Sequence, residues 1–220
     1  MKKFIALIAF IIFNSCSINP VTGEQDFVLM SENQEIALGK KHHAQVLQQT
    51  PAYKDKDLQD YVQSIGDSLS LNSHRPNLFY RFTVLDSPDI NAFALPGGYI
   101  YLNRGLMAYL SSEEELAAVL GHEIGHVTAR HSVRQYSQSQ LMGIFSAAVQ
   151  MNSGRTAGDI VNVASGALLA GYGREMELEA DNLGAQYLYK DGYSTNGMMN
   201  VLSVLKDQEI YSKELAKKRG

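Results

Sequence analysis

Leu116-Ala117-Ala118-Val119-Leu120-Gly121-His122-Glu123-Ile124-Gly125-His126 decides how this chain is read. An H-E-x-x-H pattern lies inside an apolar run. Each helical residue advances about 100°, so His122 and His126 share one face and can hold a tetrahedral metal between them. Glu123 sits one step round, placed to take a proton from a water activated there. The stretch predicts the zinc-binding helix of a metallopeptidase. An ordinary buried helix whose histidines merely fall four apart would read the same way, so the prediction needs a third ligand elsewhere. Leu116, Val119, Leu120, Ile124 and Val127 make the helix apolar nearly all round, which predicts a central, buried position. Histidines in such surroundings need partners, and a zinc ion supplies one.

The third ligand comes from a later acidic helix, predicted over Gly173 to Leu188. It carries two i, i+4 carboxylate pairs, Glu175 with Glu179 and Glu177 with Asp181. Ala180, Leu183, Gly184, Tyr187 and Leu188 define its buried face, and Glu177 and Asp181 lie within about 100° of the Ala180 edge. Glu175 and Glu179 are predicted to face solvent. Glu177 is thus the candidate ligand, and Asp181, one turn on, is placed to accept a hydrogen bond from a ligand histidine. Arg174 shares that side; pairing with Asp181, balancing the site's charge and contacting substrate are open to it, and a structural ion pair is the expected reading. A metzincin site is excluded, because Ala129 and Ser132 stand where its glycine and third histidine belong. His131 is displaced by one, about 140° round from His126, and is predicted to face elsewhere. The inverted H-x-x-E-H order is also missing. A His-His-Glu site of the gluzincin type remains, with one zinc per chain.

Around these two helices the sequence predicts an α+β domain, mainly helical, with a small three-stranded, mainly antiparallel sheet. Ser31 with Gln34 is a capping-box signature that opens a helix through Gln49, with Pro51 ending it. Its His42 and His43 lie beside Lys40 and Lys41 and read as a solvated face. A second amphipathic helix fits Lys56 to Leu71. Strands follow at Phe79 to Leu85, Asn91 to Leu95 and Tyr99 to Leu102. Pro96 assigns the middle segment to an edge or a strand end, because proline removes a ladder donor. That edge, Asn91, Ala92, Phe93 and Ala94, either binds an extended substrate by strand addition or simply covers the core. Arg104 to Leu110 reads as a short helix. The Ser111-Ser112-Glu113-Glu114-Glu115 run is explained by helix capping alone. Leu141 to Met151 and Ile160 to Ala170 are apolar but too short to span a bilayer, and read as core or site-covering helices.

At 220 residues, 45% hydrophobic and 19% charged, the chain suits one globular domain with a short appendage. A net charge of −4 gives no sign of nucleic-acid binding. The appendage is N-terminal: Lys2 and Lys3 precede an apolar run from Phe4 to Phe13, as in a secretory signal. Cys16, the single cysteine, closes that run, which resembles a bacterial lipoprotein signal; a plain signal peptide with an incidental cysteine is the alternative. The expected division is a signal peptide over 1–15, an extended tether over 16–30 and the peptidase domain over 31–220. Acylation of Cys16 would hold the domain to a membrane. Ser17 beside it resembles the outer-membrane sorting signal of Gram-negative lipoproteins, so a periplasmic, membrane-tethered protein is expected.

His122-Glu123-Ile124-Gly125-His126 followed by Glu177-Leu178-Glu179-Ala180-Asp181 resembles the family of the CAAX prenyl endopeptidases and bacterial HtpX, in its periplasmic branch. Further matches are Asn91-Ala92-Phe93-Ala94-Leu95-Pro96-Gly97-Gly98 and Val21-Thr22-Gly23, so the likeness spans about residues 19 to 218. The resemblance implies zinc on His122, His126 and Glu177, Glu123 as catalytic acid/base, and the Asn91 strand along the substrate cleft. It further implies misfolded or stalled envelope and outer-membrane proteins as substrates, and envelope assembly machinery as partners. Relatives continue with a His-Pro segment, some with helical repeats, so the chain reads either as a fragment or as a shortened relative. Two other readings use the same residues. One is a tethered chaperone or adaptor keeping zinc for stability, although structural sites normally fill four protein positions and this chain offers three. The other is a latent protease whose water is displaced by a covering side chain.

Overall fold

The computed structural model describes residues 16–150 and 171–201. The expected signal peptide and the apolar segment from Ile160 to Ala170 lie outside the described residues. The chain runs β1 (Cys16–Ile18), β2 (Gln25–Phe27), α1 (Glu32–Gln49), α2 (Lys56–Leu71), β3 (Arg81–Leu85), β4 (Ala92–Leu95) and β5 (Tyr99–Asn103). It continues through α3 (Arg104–Met107), α4 (Glu113–Thr128), α5 (His131–Gln150) and α6 (Arg174–Lys190). Another helix begins at residue 196.

Local chemistry sets the helix starts. Ser31 caps α1 in a complete capping box with Gln34, and the Asp55 carboxylate accepts the Leu58 N–H at the start of α2. Ser112 caps α4 by accepting the Glu115 N–H. The acidic run there also builds tertiary contacts: Glu113 accepts hydrogen bonds from the hydroxyls of Tyr61 and Tyr193.

The three-stranded sheet has order β3-β5-β4 and is mixed: β3 runs parallel to β5, and β4 antiparallel to it. The pairing is thus half parallel where mostly antiparallel pairing was expected. The strand after β3 crosses to the far edge and returns through the Pro96-Gly97-Gly98 turn into the middle. Gly97 and Gly98 adopt φ of 76° and 90°, which suits glycine. Pro96 therefore does mark an edge strand. Side chains alternate between two faces. Phe82, Val84, Ala94, Ile100 and Leu102 join the main core with α2 and α4. Leu85, Leu95 and Tyr101 point the other way, toward Val46 and Leu47 of α1.

α4 occupies the centre and lies across α6. Their backbones touch: a Cβ on Gly125 would stand 2.7 Å from the Ala180 carbonyl oxygen, and one on Gly184 would stand 2.9 Å from the His122 nitrogen. Small residues at Gly121, Gly125, Ala180 and Gly184 let the helices approach this closely. The buried residues of α6 are Ala180, Leu183, Gly184, Tyr187 and Leu188, the face that helical phase predicts.

Two features depart from the sequence reading. The stretch 16–30 was expected as an extended tether, but β1 and β2 pair as an antiparallel hairpin. The Asn19 side-chain oxygen accepts the N–H groups of Val21 and Thr22 and closes its turn, while Ser137 of α5 accepts the Leu29 N–H. The helical phase used for His131 carries α4 past Thr128, but the chain reverses there. Arg130 takes a left-handed φ of 55°, ending α4 and redirecting the chain into α5. That turn is anchored by Glu35, 1% exposed, which receives Arg75 at 2.7 Å and Arg130 at 2.9 Å. Two guanidiniums on one buried carboxylate satisfy its lone pairs and tie α1 to the end of α4.

Candidate metal centre

The close crossing of α4 and α6 brings His122, His126 and Glu177 together, with one potential ligand atom from each lying within 4.8 Å of the others. The Nε2 atoms of His122 and His126 are 2.9 Å apart. The Glu177 carboxylate lies 3.5 Å from His122 Nε2 and 3.7 Å from His126 Nε2. All three groups therefore aim at one point. Among the described residues this is the one such group of metal-ligating side chains.

The remaining ring nitrogens are also engaged. His122 Nδ1 is 2.8 Å from Asp181, so its Nδ1–H donates to the carboxylate and its Nε2 lone pair stays available. His126 Nδ1 is 2.8 Å from His131 Nδ1. His131 Nε2 in turn lies 3.0 Å from Glu179, which also accepts from Arg134 at 3.1 Å. Tyr172 stacks on the His126 ring at 4.1 Å and hydrogen-bonds Ser132 through its hydroxyl.

Asp181 thus stands where the phase argument puts it. Three expectations are corrected. Glu179 does not face solvent but joins α6 to α5 through His131 and Arg134. His131 does not face elsewhere; it is fully buried against His126. Arg174 is exposed and makes no ion pair with Asp181 or any other acid among the described residues. Tyr172, absent from the sequence reading, is brought in by the segment leading into α6. The signal for His131 was an Arg-His pair straight after an apolar helix, which only a chain reversal makes meaningful.

Electrostatics within the protein favour a cation at the convergence point. Burial opposes charge on His122, but hydrogen bonds to Asp181 and Glu177 outweigh it and push the pKa to about 10. Burial drives His126 down to about 2, helped by the charges of His122 and His131. Burial raises Glu123 to about 7. The acids therefore demand one positive charge beside a pair of imidazoles that cannot both carry it. Two imidazole nitrogens, one carboxylate and an open side fit a catalytic zinc donor set.

Beside this group runs a cleft of about 660 Å³, lined by Ile90 to Ala94 on one side and by His122, Glu123, Tyr172 and Glu177 on the other. Asn91 is exposed, Ala92 and Phe93 are half-buried and Ala94 is buried. Asn103 donates its N–H to the Asn91 carbonyl at 3.0 Å. In an antiparallel ladder the direction alternates, so Ala92 and Ala94 turn their backbone groups to the free edge.

The model of Peptidase family M48 matches residues 56–217, which take in α2, the sheet and both helices of the metal group. The Beta-barrel assembly-enhancing protease of Yersinia pestis is 30% identical over 204 residues, covering 87% of this chain and 42% of that protein. The Mitochondrial metalloendopeptidase OMA1 of Arabidopsis thaliana is 34% identical over 122 residues, 55% of this chain and 24% of that one. The Metalloprotease YcaL of Escherichia coli (strain K12) is 32% identical over 128 residues, 56% of this chain and 50% of that one. The chain spans about two fifths of the length of the Beta-barrel assembly-enhancing proteases it matches. With the family model covering the whole His122–His126–Glu177 framework, the chain belongs to Peptidase family M48.

Proposed function

We propose that the chain is a zinc-dependent endopeptidase acting on misfolded or stalled envelope proteins, outer-membrane proteins among them. The observation that carries this reading is the convergence of His122, His126 and Glu177 beside a buried Glu123, at the wall of a cleft whose other side is a free strand edge. His122, His126 and Glu177 would hold the metal. Zinc bound there would acidify a water to a pKa of about 7 and polarise the scissile carbonyl. Glu123 does the proton work: its carboxylate accepts a proton from the attacking water and delivers it to the leaving amine nitrogen. A buried carboxylate raised to about 7 is matched to both halves of that task near neutral pH. The outward N–H and C=O groups of Ala92 and Ala94 would align an extended peptide across the site. Such recognition favours unfolded segments, because only a free backbone can add to a strand edge.

The envelope assignment is supported by the signal-like N-terminus, by Cys16 as a lipid-attachment residue, and by the printed names of the Beta-barrel assembly-enhancing relatives. In this reading the protein is a periplasmic lipoprotein, tethered to the outer membrane and working beside the envelope assembly machinery. The deciding experiment measures zinc content and hydrolysis of unfolded casein for the whole chain, wild type against Glu123→Gln. Zinc in both with cleavage only in wild type supports the endopeptidase. Zinc in both with cleavage in neither favours the tethered chaperone or latent protease instead.

A further inference from the structure

We propose that His131, Glu179 and Arg134 form a positioning chain that fixes the tautomer and ring orientation of His126. The inference rests on the metal site proposed above and concerns how one of its ligands is held.

Proton counting gives a single arrangement. To offer Nε2 to a metal, a neutral His126 must carry its proton on Nδ1. That nitrogen lies 2.8 Å from His131 Nδ1, an N–H···N hydrogen bond, so His131 Nδ1 must be bare. The His131 proton then sits on Nε2, which is 3.0 Å from Glu179 Oε2. Glu179 is held as a carboxylate by Arg134 at 3.1 Å, and Arg134 also faces Asp26 of the N-terminal hairpin at 3.6 Å. Every donor meets one acceptor. Moving any proton would set two donors or two acceptors face to face.

The chain parallels the direct His122–Asp181 contact. His126 reaches its carboxylate through an intervening imidazole because α5, not α6, lies behind it. The left-handed Arg130 makes this possible by turning His131 back onto the last turn of α4. Packing alone would not explain a polar contact at both ring nitrogens of a side chain that is 0% exposed.

The test uses the whole chain, with Zn²⁺ and Co²⁺ as probes. His131→Phe keeps a ring and removes the acceptor; His131→Asn restores an acceptor near the Nδ1 position; Glu179→Gln removes the terminal charge at a partly exposed site. Competition against a chromophoric chelator should show Zn²⁺ bound ~10–100-fold more weakly by His131→Phe, with most affinity recovered in His131→Asn. The Co²⁺ absorption bands should shift in His131→Phe, and kcat on unfolded casein should fall more than KM rises. Glu179→Gln should lose affinity in the same direction, by less. A folded His131→Phe, judged by circular dichroism, with wild-type Zn²⁺ affinity and Co²⁺ bands overturns the proposal. If His131→Phe does not fold, unchanged affinity and bands in Glu179→Gln overturn it instead. A wild-type chain that takes up no Zn²⁺ overturns the metal site itself, a separate and earlier failure.

Discussion

Gly125 lies against Ala180 so closely that a Cβ on the glycine would stand 2.7 Å from the Ala180 carbonyl oxygen and 3.0 Å from its Cα. Both obstructing atoms are backbone, so no side-chain rotation relieves the clash. The contact sits between His122 and His126 on one helix and Glu177 and Asp181 on the other. It therefore sets the distance across which the candidate ligands meet.

Gly125→Ala should consequently separate α4 from α6, destabilising the chain by about 1–3 kcal/mol through overpacking and weakening metal uptake together. Gly121→Ala is the control. Its added Cβ would meet Gly184 at 3.3–3.4 Å, which a few tenths of an ångström of adjustment relieve. Thermal unfolding and zinc stoichiometry of the two variants measure the difference. Equal behaviour would show that the crossing is not set by this contact.

Glu123→Gln should retain zinc while cleavage of unfolded casein falls by about 10²–10⁴-fold, the usual contribution of a positioned general base and acid. The amide fills the same space, but it cannot accept a proton from water. Zinc analysis alongside initial rates separates this loss from loss of the metal. A folded Glu123→Gln protein with full casein hydrolysis removes Glu123 from the chemistry.

What was legible in the sequence follows from which interactions are local. Ser31 with Gln34, Asp55 and Ser112 fix helix starts through contacts a few residues long, so α1, α2 and α4 stand close to the expected bounds. Helical phase placed Glu177 and Asp181 correctly, because both depend only on which face of α6 is apolar. The same phase argument failed for His131 by assuming that α4 continues past Thr128. A single left-handed residue, Arg130, broke that continuity, and nothing local announces it, since the anchoring Glu35 lies 95 residues away. Glu179 was misplaced for a related reason: its partners belong to α5, whose position depends on that turn. The parallel pairing of β3 with β5 is equally non-local, because strand order depends on where the intervening segment crosses.

Glu177→Ala should abolish stoichiometric zinc binding, whereas Asp181→Asn should weaken it by roughly 10–100-fold. In the proposed site Glu177 would supply a ligand oxygen, whereas Asp181 would only orient His122. Its amide replacement can still accept a hydrogen bond from Nδ1, while the charge is lost. Chelator competition ranks the two. Asp181→Asn losing as much affinity as Glu177→Ala would give Asp181 a more direct role than its position implies.

Stripped of metal, the chain should be most stable near pH 6–7. His122 is raised to about 10, so its stabilisation is complete below its ordinary value of 6.5 and is lost as pH rises toward 10. His126 is lowered to about 2, so its contribution is present above 6.5 and lost as pH falls toward 2. His43, His74 and His131 are also lowered, chiefly by burial, and act in the same sense as His126. Glu123, raised to about 7, opposes them between 4.5 and 7 but is one group against four. Urea unfolding in chelator across pH 4 to 10 measures the profile. Excess zinc should flatten its alkaline limb, because the metal takes the place of the His122 proton. An alkaline limb that ignores zinc would mean that the convergence point does not bind it.

Ala92→Pro tests the free strand edge without dismantling the sheet. Asn91 accepts the Asn103 N–H, so the ladder alternation turns the Ala92 N–H outward, and proline there removes a donor that β5 does not use. The half-buried Ala92 side chain leaves more room for the ring than the buried Ala94 would. The variant should fold, keep its zinc and lose one backbone hydrogen bond to an extended substrate. A single such bond contributes about 0.5–1.5 kcal/mol net, which corresponds to a two- to twelve-fold rise in KM with kcat much less affected. Steady-state kinetics on an unfolded peptide substrate, with zinc content measured in parallel, reads this directly. Unchanged KM in a folded, zinc-loaded Ala92→Pro protein would mean that substrate does not pair with this position of β4, leaving the strand as a wall of the cleft.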